Sequence, residues 1–242
     1  MVSQSAETPE SLRGMSAAHQ SVYGFLAACF ARPLSPRELE AVNLAGMAET
    51  DGSPCDDELS AMLQNLTSNY DPQACEQEFM ALFKVPGGRY VAPYESVFRD
   101  THEIGGQRVG GLLLGQSAID VQKWYRLAAL EFKDDCKELP DHIALELEYL
   151  AHLCSKEHEF TAAGDESHMR RAQEMQRDFL AAHICSWIGA LRDRIVEKAK
   201  GSFYRTVADM AVAVTTRHLA ALEQAIGASQ RSSSPPYRQA PD

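Results

Sequence analysis

Apolar side chains recur at helical spacing along most of the chain. Val22, Phe25, Leu26 and Cys29 form one stripe, which Ser16 can cap and which ends near Pro33. Ser35-Pro36-Arg37-Glu38 then supplies a capping box with proline at the first helical position, ahead of Leu39, Val42 and Leu44. Asp56 opens a stripe of Leu59, Met62, Leu63 and Leu66. Asp71-Pro72 repeats the cap-then-proline device before Cys75, Phe79, Leu82 and Phe83.

The periodicity fails over KVPGGRYVAPYESVFRDTHEIGGQRVGGLLLG. Its prolines and glycines mark a long irregular connection, of a kind more often functional than idle. Helical spacing resumes after Ser117 with Val121, Trp124, Tyr125 and Ala128. A charged linker, EFKDDCKEL at 131–139, leads into PDHIALELEYLAHLC. Three further helices are predicted at about 141–158, 166–198 (broken near Trp187 to Gly189) and 202–226. No strand alternation survives outside the glycine-rich connection, and no internal repeat is present, so the predicted class is all-α. The break at 131–140 predicts a helical bundle of two lobes, 16–130 and 140–226. Residues 1–15 and the Ser- and Pro-rich 227–242 are expected to be disordered.

Charge narrows the partner classes. Asp and Glu number 34 against 23 Lys and Arg, a formal charge of -11. No basic stripe is present, which argues against nucleic acid. An acidic surface suits a cationic partner, or simply keeps the protein soluble. The first residues, MVSQSAETPESLRGMS, lack a basic and apolar leader, and no apolar run approaches the roughly 20 residues of a bilayer span. A cytoplasmic protein without stable membrane insertion is expected. The six cysteines are scattered without a Cys-x-x-Cys pair, as expected of free thiols.

Candidate chemistry centres on Leu139 to Cys154. Asp141 can cap the helix that follows, and Pro140 holds Leu139 extended. Ile143, Leu147, Leu150 and Cys154 form its core stripe, and Glu146 lies one turn beyond His142, close enough to pair. His142 is then either a plain first-turn histidine or a functional one. Glu148 and His152 stand four apart and Asp165-x-x-His168 occurs once, which does not make a di-metal or His-Glu-x-x-His pattern; no metal is expected. GGQRVGGLLLG lacks the Lys-Ser/Thr ending of a phosphate loop, and no serine or cysteine sits in a nucleophile signature. No catalytic residue is therefore assigned. Phe79, Leu82, Phe83, Tyr94 and Phe98 either fill the core or line a peptide groove.

EFMALF, PGG and PYESVFRD, followed by PDHIALELEYLAHLC and RDFLAAHICSWI, resemble the TorD/DmsD family of cytoplasmic chaperones for molybdoenzymes, over roughly 16–226. The resemblance implies an all-helical protein, hinged near Pro-Asp-His, that catalyses nothing. Such a protein would bind the twin-arginine signal peptide and apo form of a molybdenum oxidoreductase catalytic subunit. It would hold that client until the cofactor is inserted, then release it for export. Leu82 and Phe83 correspond to the family's Leu-Phe pair, Tyr94, Ser96 and Asp100 to its Tyr-x-Ser loop, and Pro140, Asp141 and His142 to its hinge. The implied groove is Phe79, Leu82 and Phe83, with Asp141, Glu146 and Glu148 as its acidic rim. Ala129 stands where the family commonly has glycine; helix propensity favours alanine there, which implies a stiffer junction. The resemblance implies no stably bound cofactor, only transient contact with molybdopterin guanine dinucleotide or a guanine nucleotide. It leaves open a monomer or a homodimer. A NarJ-type chaperone of a nitrate reductase and a helical metalloprotein enzyme stay open as alternatives.

Overall fold

The computed structural model describes residues 9–40, 54–68, 70–132 and 136–232. Helix α1 spans Pro9–Ala31 and α2 Pro36–Glu40. The predicted capping box is present: Ser35 Oγ accepts from the Glu38 amide at 3.3 Å, and Glu38 Oε2 accepts from the Ser35 amide at 2.8 Å. Val42 and Leu44 lie outside the described residues. Helix α3 is Pro54–Ser68 and α4 is Pro72–Phe79, where Asp71 Oδ1 accepts from Gln73 and Ala74. A π-turn, Met80–Lys84, continues α4 and is closed by the Val85 amide donating to the Met80 carbonyl at 2.8 Å.

The irregular connection resolves into α5 (Glu95–Arg99) and a hairpin of β1 (Thr101–Ile104) with β2 (Gln107–Gly110). This antiparallel pair is the one sheet among the described residues, so the chain is otherwise helical. Then come α6 (Gln116–Leu127), α7 (Ile143–Ala163), α8 (Glu166–Phe179), a second π-turn at Leu180–Ile184, α9 (Cys185–Lys198) and α10 (Phe203–Ser232). No helix among the described residues is long and apolar enough to cross a membrane.

Several expectations need correction. Helix α1 opens at Pro9, not Ser16, and α10 runs to Ser232 through residues expected in the tail. Pro9 suits a first helical position, and nothing from Gly227 to Ser232 breaks a helix already nucleated. The predicted break near Trp187 to Gly189 is absent. Gly189 costs only about 1 kcal/mol relative to alanine in a helix, and the buried Trp187, Ile188 and Leu191 hold the segment helical. The irregularity falls instead at the π-turn before it.

The two-lobe arrangement is not seen. Buried apolar side chains from Val22 to Leu222 form one continuous core. Helix α1 of the first half lies along α7 of the second, and Phe30 meets Phe83 edge-on with ring centres 5.9 Å apart. Phe83 in turn meets Tyr204 of α10 at 5.5 Å. Burying side chains of this size is worth about 1.5–3 kcal/mol each, so the shared core joins the halves tightly.

Ala129 also departs from expectation. It is left-handed, at φ 55. Its amide donates to the Arg126 carbonyl at 3.0 Å, and that of Leu130 to the Tyr125 carbonyl at 2.9 Å. This is the glycine position of a helix C-cap, outside the helix proper, so helix propensity does not apply to it.

Candidate functional site

The Pro-Asp-His turn is a junction between two segments far apart in sequence. The Pro140 carbonyl accepts from the Tyr125 hydroxyl at 2.9 Å. The Glu95 amide donates to the Asp141 carbonyl and the Ile143 amide to the Pro93 carbonyl, each at 3.0 Å, which pairs Tyr94 with His142 as an antiparallel bridge. The cap of α7 is His142 and not Asp141: its Nδ1 accepts from the Ala144 amide at 3.1 Å. An accepting Nδ1 requires a neutral ring with its proton on Nε2. Burial agrees, pushing the His142 pKa down to about 4 against the opposing charge of Glu138.

Asp141 caps a different helix. Its Oδ2 accepts from the Ser96 amide at 2.8 Å, at the start of α5, where Tyr94 itself offers no side-chain cap. At the other end of α5, Asp100 repeats the device. Its two oxygens take the Ser117 amide at 2.9 Å and the Ser117 hydroxyl at 2.7 Å, capping α6. Glycine at 115 is required by this contact, because a Cβ there would lie 2.0 Å from Asp100 Oδ2. Asp141 and Asp100 therefore fasten the Tyr94–Asp100 segment between α7 and α6.

Beneath the turn lie buried ionisable groups. Glu95, fully buried, pairs with Arg99 and, at 2.9 Å, with His183 Nδ1. Glu146 Oε2 accepts from Trp187 Nε1 at 3.2 Å, and does not pair with His142. Burial, reinforced by the neighbouring Glu95, raises the Glu146 carboxyl well above the usual range. Ser96 Oγ, Asp141 Oδ1 and Glu146 Oε1 are buried without a protein hydrogen-bond partner.

Above the turn, Glu138 collects donors. Lys84 Nζ reaches its Oε1 at 2.7 Å and the Tyr94 hydroxyl its Oε2 at 2.6 Å; His142 Nε2 stands 3.9 Å from Oε2. Burial works to raise the Glu138 carboxyl, but the donors from Lys84 and Tyr94 hold it below its ordinary value. The Tyr94 ring meets His142 edge-on at 5.1 Å. Glu138 and His142 border a cleft of about 450 Å³ whose walls include Tyr125, Phe132, Tyr149 and His152.

The expected groove is not where the sequence suggests. Phe79, Leu82 and Phe83 are buried in the core, since the α4 face that repeats them points at α1 and α10. Asp141 and Glu146 are fully buried and so cannot form a rim. Tyr94, Ser96, Pro140, Asp141 and His142 are brought together, chiefly by hydrogen bonds that fix the backbone, whereas Asp100 stands at the far end of α5, bonded to Ser117 of α6. The acidic groups at the cleft are Glu138 and the exposed Glu148. Sequence reasoning missed Glu138, Lys84, Phe132 and Tyr149. Glu138 alone had a signal, four residues ahead of His142; the others depend on tertiary approach.

Among the described residues no group of three His, Cys, Asp or Glu side chains is arranged to hold a metal. Asp165 and His168 form an N-cap pair on α8, with Oδ1 accepting from the His168 amide at 3.1 Å.

Residues 51–193, more than half of the chain, match the family described as nitrate reductase delta subunit. The chain is 27% identical over 201 residues to chaperone protein TorD of Vibrio parahaemolyticus, covering 79% of this chain and 88% of that protein. It is 32% identical over 127 residues to the selenate reductase assembly chaperone protein of Thauera selenatis, covering 51% and 58%. Against the chlorate reductase assembly chaperone protein of Ideonella dechloratans it is 29% identical over 126 residues, again 51% and 58%. All three of these relatives are chaperones.

Proposed function

The chain belongs to the nitrate reductase delta subunit family, and from that premise we propose that it is an assembly chaperone for a molybdenum-dependent oxidoreductase. On this reading it binds the client's twin-arginine leader and apo form in the cytoplasm and delays export until the cofactor is in place. Any contact with molybdopterin guanine dinucleotide or a guanine nucleotide is transient, made while the client is held.

The cleft beside Pro-Asp-His is the observation that carries the reading. Its aromatic walls suit the apolar run of a leader, and Glu138 and Glu148 suit the cationic head that precedes it. A NarJ-type role, with a nitrate reductase as client, remains the second reading because of the family description. Coverage of 88% of a TorD chaperone favours the first.

Calorimetry with a synthetic peptide, two adjacent arginines followed by an apolar run, tests the site. Phe132 and Leu145 both line the cleft; the parent protein is expected to bind the peptide, and Phe132→Asp or Leu145→Asp, each placing charge there, to lose it. Unchanged affinity in both variants would move the site elsewhere; no binding by the parent would remove the leader from the reading.

A further inference from the structure

The acidic mouth of the cleft already holds a cation. Both oxygens of Glu138 are occupied, one by Lys84 Nζ at 2.7 Å and the other by the Tyr94 hydroxyl at 2.6 Å. Lys84 is not part of the cleft wall. It reaches Glu138 from the end of the π-turn, its ammonium 5.7 Å from the centre of the Phe79 ring. The side chains of Lys84 and Glu138 are each about a third exposed, 34% and 31%, so solvent reaches the pair.

Two features make this contact exchangeable. An ion pair this open to water is weak, and a lysine ammonium is a point charge on a flexible stem, whereas a guanidinium presents a planar fork that matches a carboxylate. The Tyr94 bond does not involve Lys84, so Glu138 stays oriented when the ammonium leaves. We propose that Lys84 is a built-in competitor at a guanidinium subsite centred on Glu138, displaced by an arginine of the incoming peptide. The proposal rests on the peptide-binding reading above and adds a selection rule to it. A peptide head must outcompete an intramolecular cation held at high effective concentration, which disfavours peptides with a single or weakly held positive charge.

The test uses the full chain, the arginine-pair peptide above and its counterpart with both arginines replaced by glutamine. Lys84→Met keeps an unbranched apolar side chain at this position and removes the charge; it is expected to tighten arginine-peptide binding by roughly threefold to fivefold. Lys84→Arg, a better partner for Glu138, is expected to weaken it. Glu138→Gln is expected to weaken it about tenfold, and Lys84→Met should bring no further gain in that background. The glutamine peptide should not distinguish the Lys84 variants, and thermal melts confirm that each is folded. Equal arginine-peptide affinity for the parent and Lys84→Met overturns this inference alone, as does a gain that persists with Glu138→Gln. Binding by none of the proteins overturns the leader reading and this inference together.

Discussion

Asp141→Ala separates a structural from a contact role for the Pro-Asp-His turn. Asp141 is fully buried and its Oδ2 takes the Ser96 amide at 2.8 Å. Alanine leaves that amide at the mouth of α5 without its acceptor, a loss of about 1–3 kcal/mol for an unsatisfied buried donor, with a small packing loss besides. A total of about 2–3 kcal/mol is expected, and a melting temperature lower by roughly 5–10 °C for a domain of this size. Asp141→Asn is the control. It keeps an oxygen acceptor for Ser96 and removes a charge near Glu146, so it should stay within about 1 kcal/mol of the parent. Urea unfolding followed by circular dichroism gives the stabilities, and hydrogen exchange at Ser96 reports the bond itself. The reasoning fails if alanine costs under about 0.5 kcal/mol, or if asparagine is as damaging as alanine. Peptide affinity supplies the functional arm: Asp141→Asn should retain it. Loss of binding in a fully stable Asp141→Asn protein would place Asp141 in direct contact with the client.

Ala129→Gly is expected to stabilise by about 0.5–1 kcal/mol, because φ 55 strains alanine and relaxes glycine; thermal denaturation checks it, and a lower melting temperature refutes it. Gly115→Ala should cost at least about 1–3 kcal/mol through the overlap of its Cβ with Asp100, read from urea unfolding, and should loosen the Ser117 cap. The His142 pKa is depressed by burial from 6.5 to about 4, so as pH falls the unfolded chain takes the proton first. Its contribution to stability is complete above about pH 6.5 and lost towards pH 4. His142→Asn, which retains a cap acceptor, should make that loss shallower in urea titrations across the window. Some slope should remain, because His19 and His218 are shifted the same way. Glu146 has the opposite sign: its raised carboxyl favours the fold below its unfolded pKa of about 4.5 and loses that advantage as pH rises through the folded value. Glu146→Gln should therefore stabilise at neutral pH by about 1 kcal/mol, measured by unfolding at pH 7.

The helices and their caps were set by local physics, and so could be read without coordinates. Ser35 with Glu38 and Asp71 before Pro72 act within a few residues of themselves, and the i, i+4, i+7 stripe of α7 needs only its own periodicity. The family resemblance also lies in local order and spacing. Tertiary structure alone decided what the polar residues do. Asp141 caps a helix 45 residues away in sequence, Asp100 one 17 residues on, and Glu138 meets a lysine 54 residues before it. Nothing in a linear pattern records those approaches. Burial was equally hidden: a stripe of Phe79, Leu82 and Phe83 reads the same whether it faces a groove or a core, and only the packing of α1 and α10 against it decides. Ala129 shows the limit most directly, since a propensity scale ranks it for a helix while the chain reversal after α6 gives it left-handed geometry. Short-range hydrogen bonding and periodicity are written along the chain; desolvation and charge pairing exist only once distant segments meet.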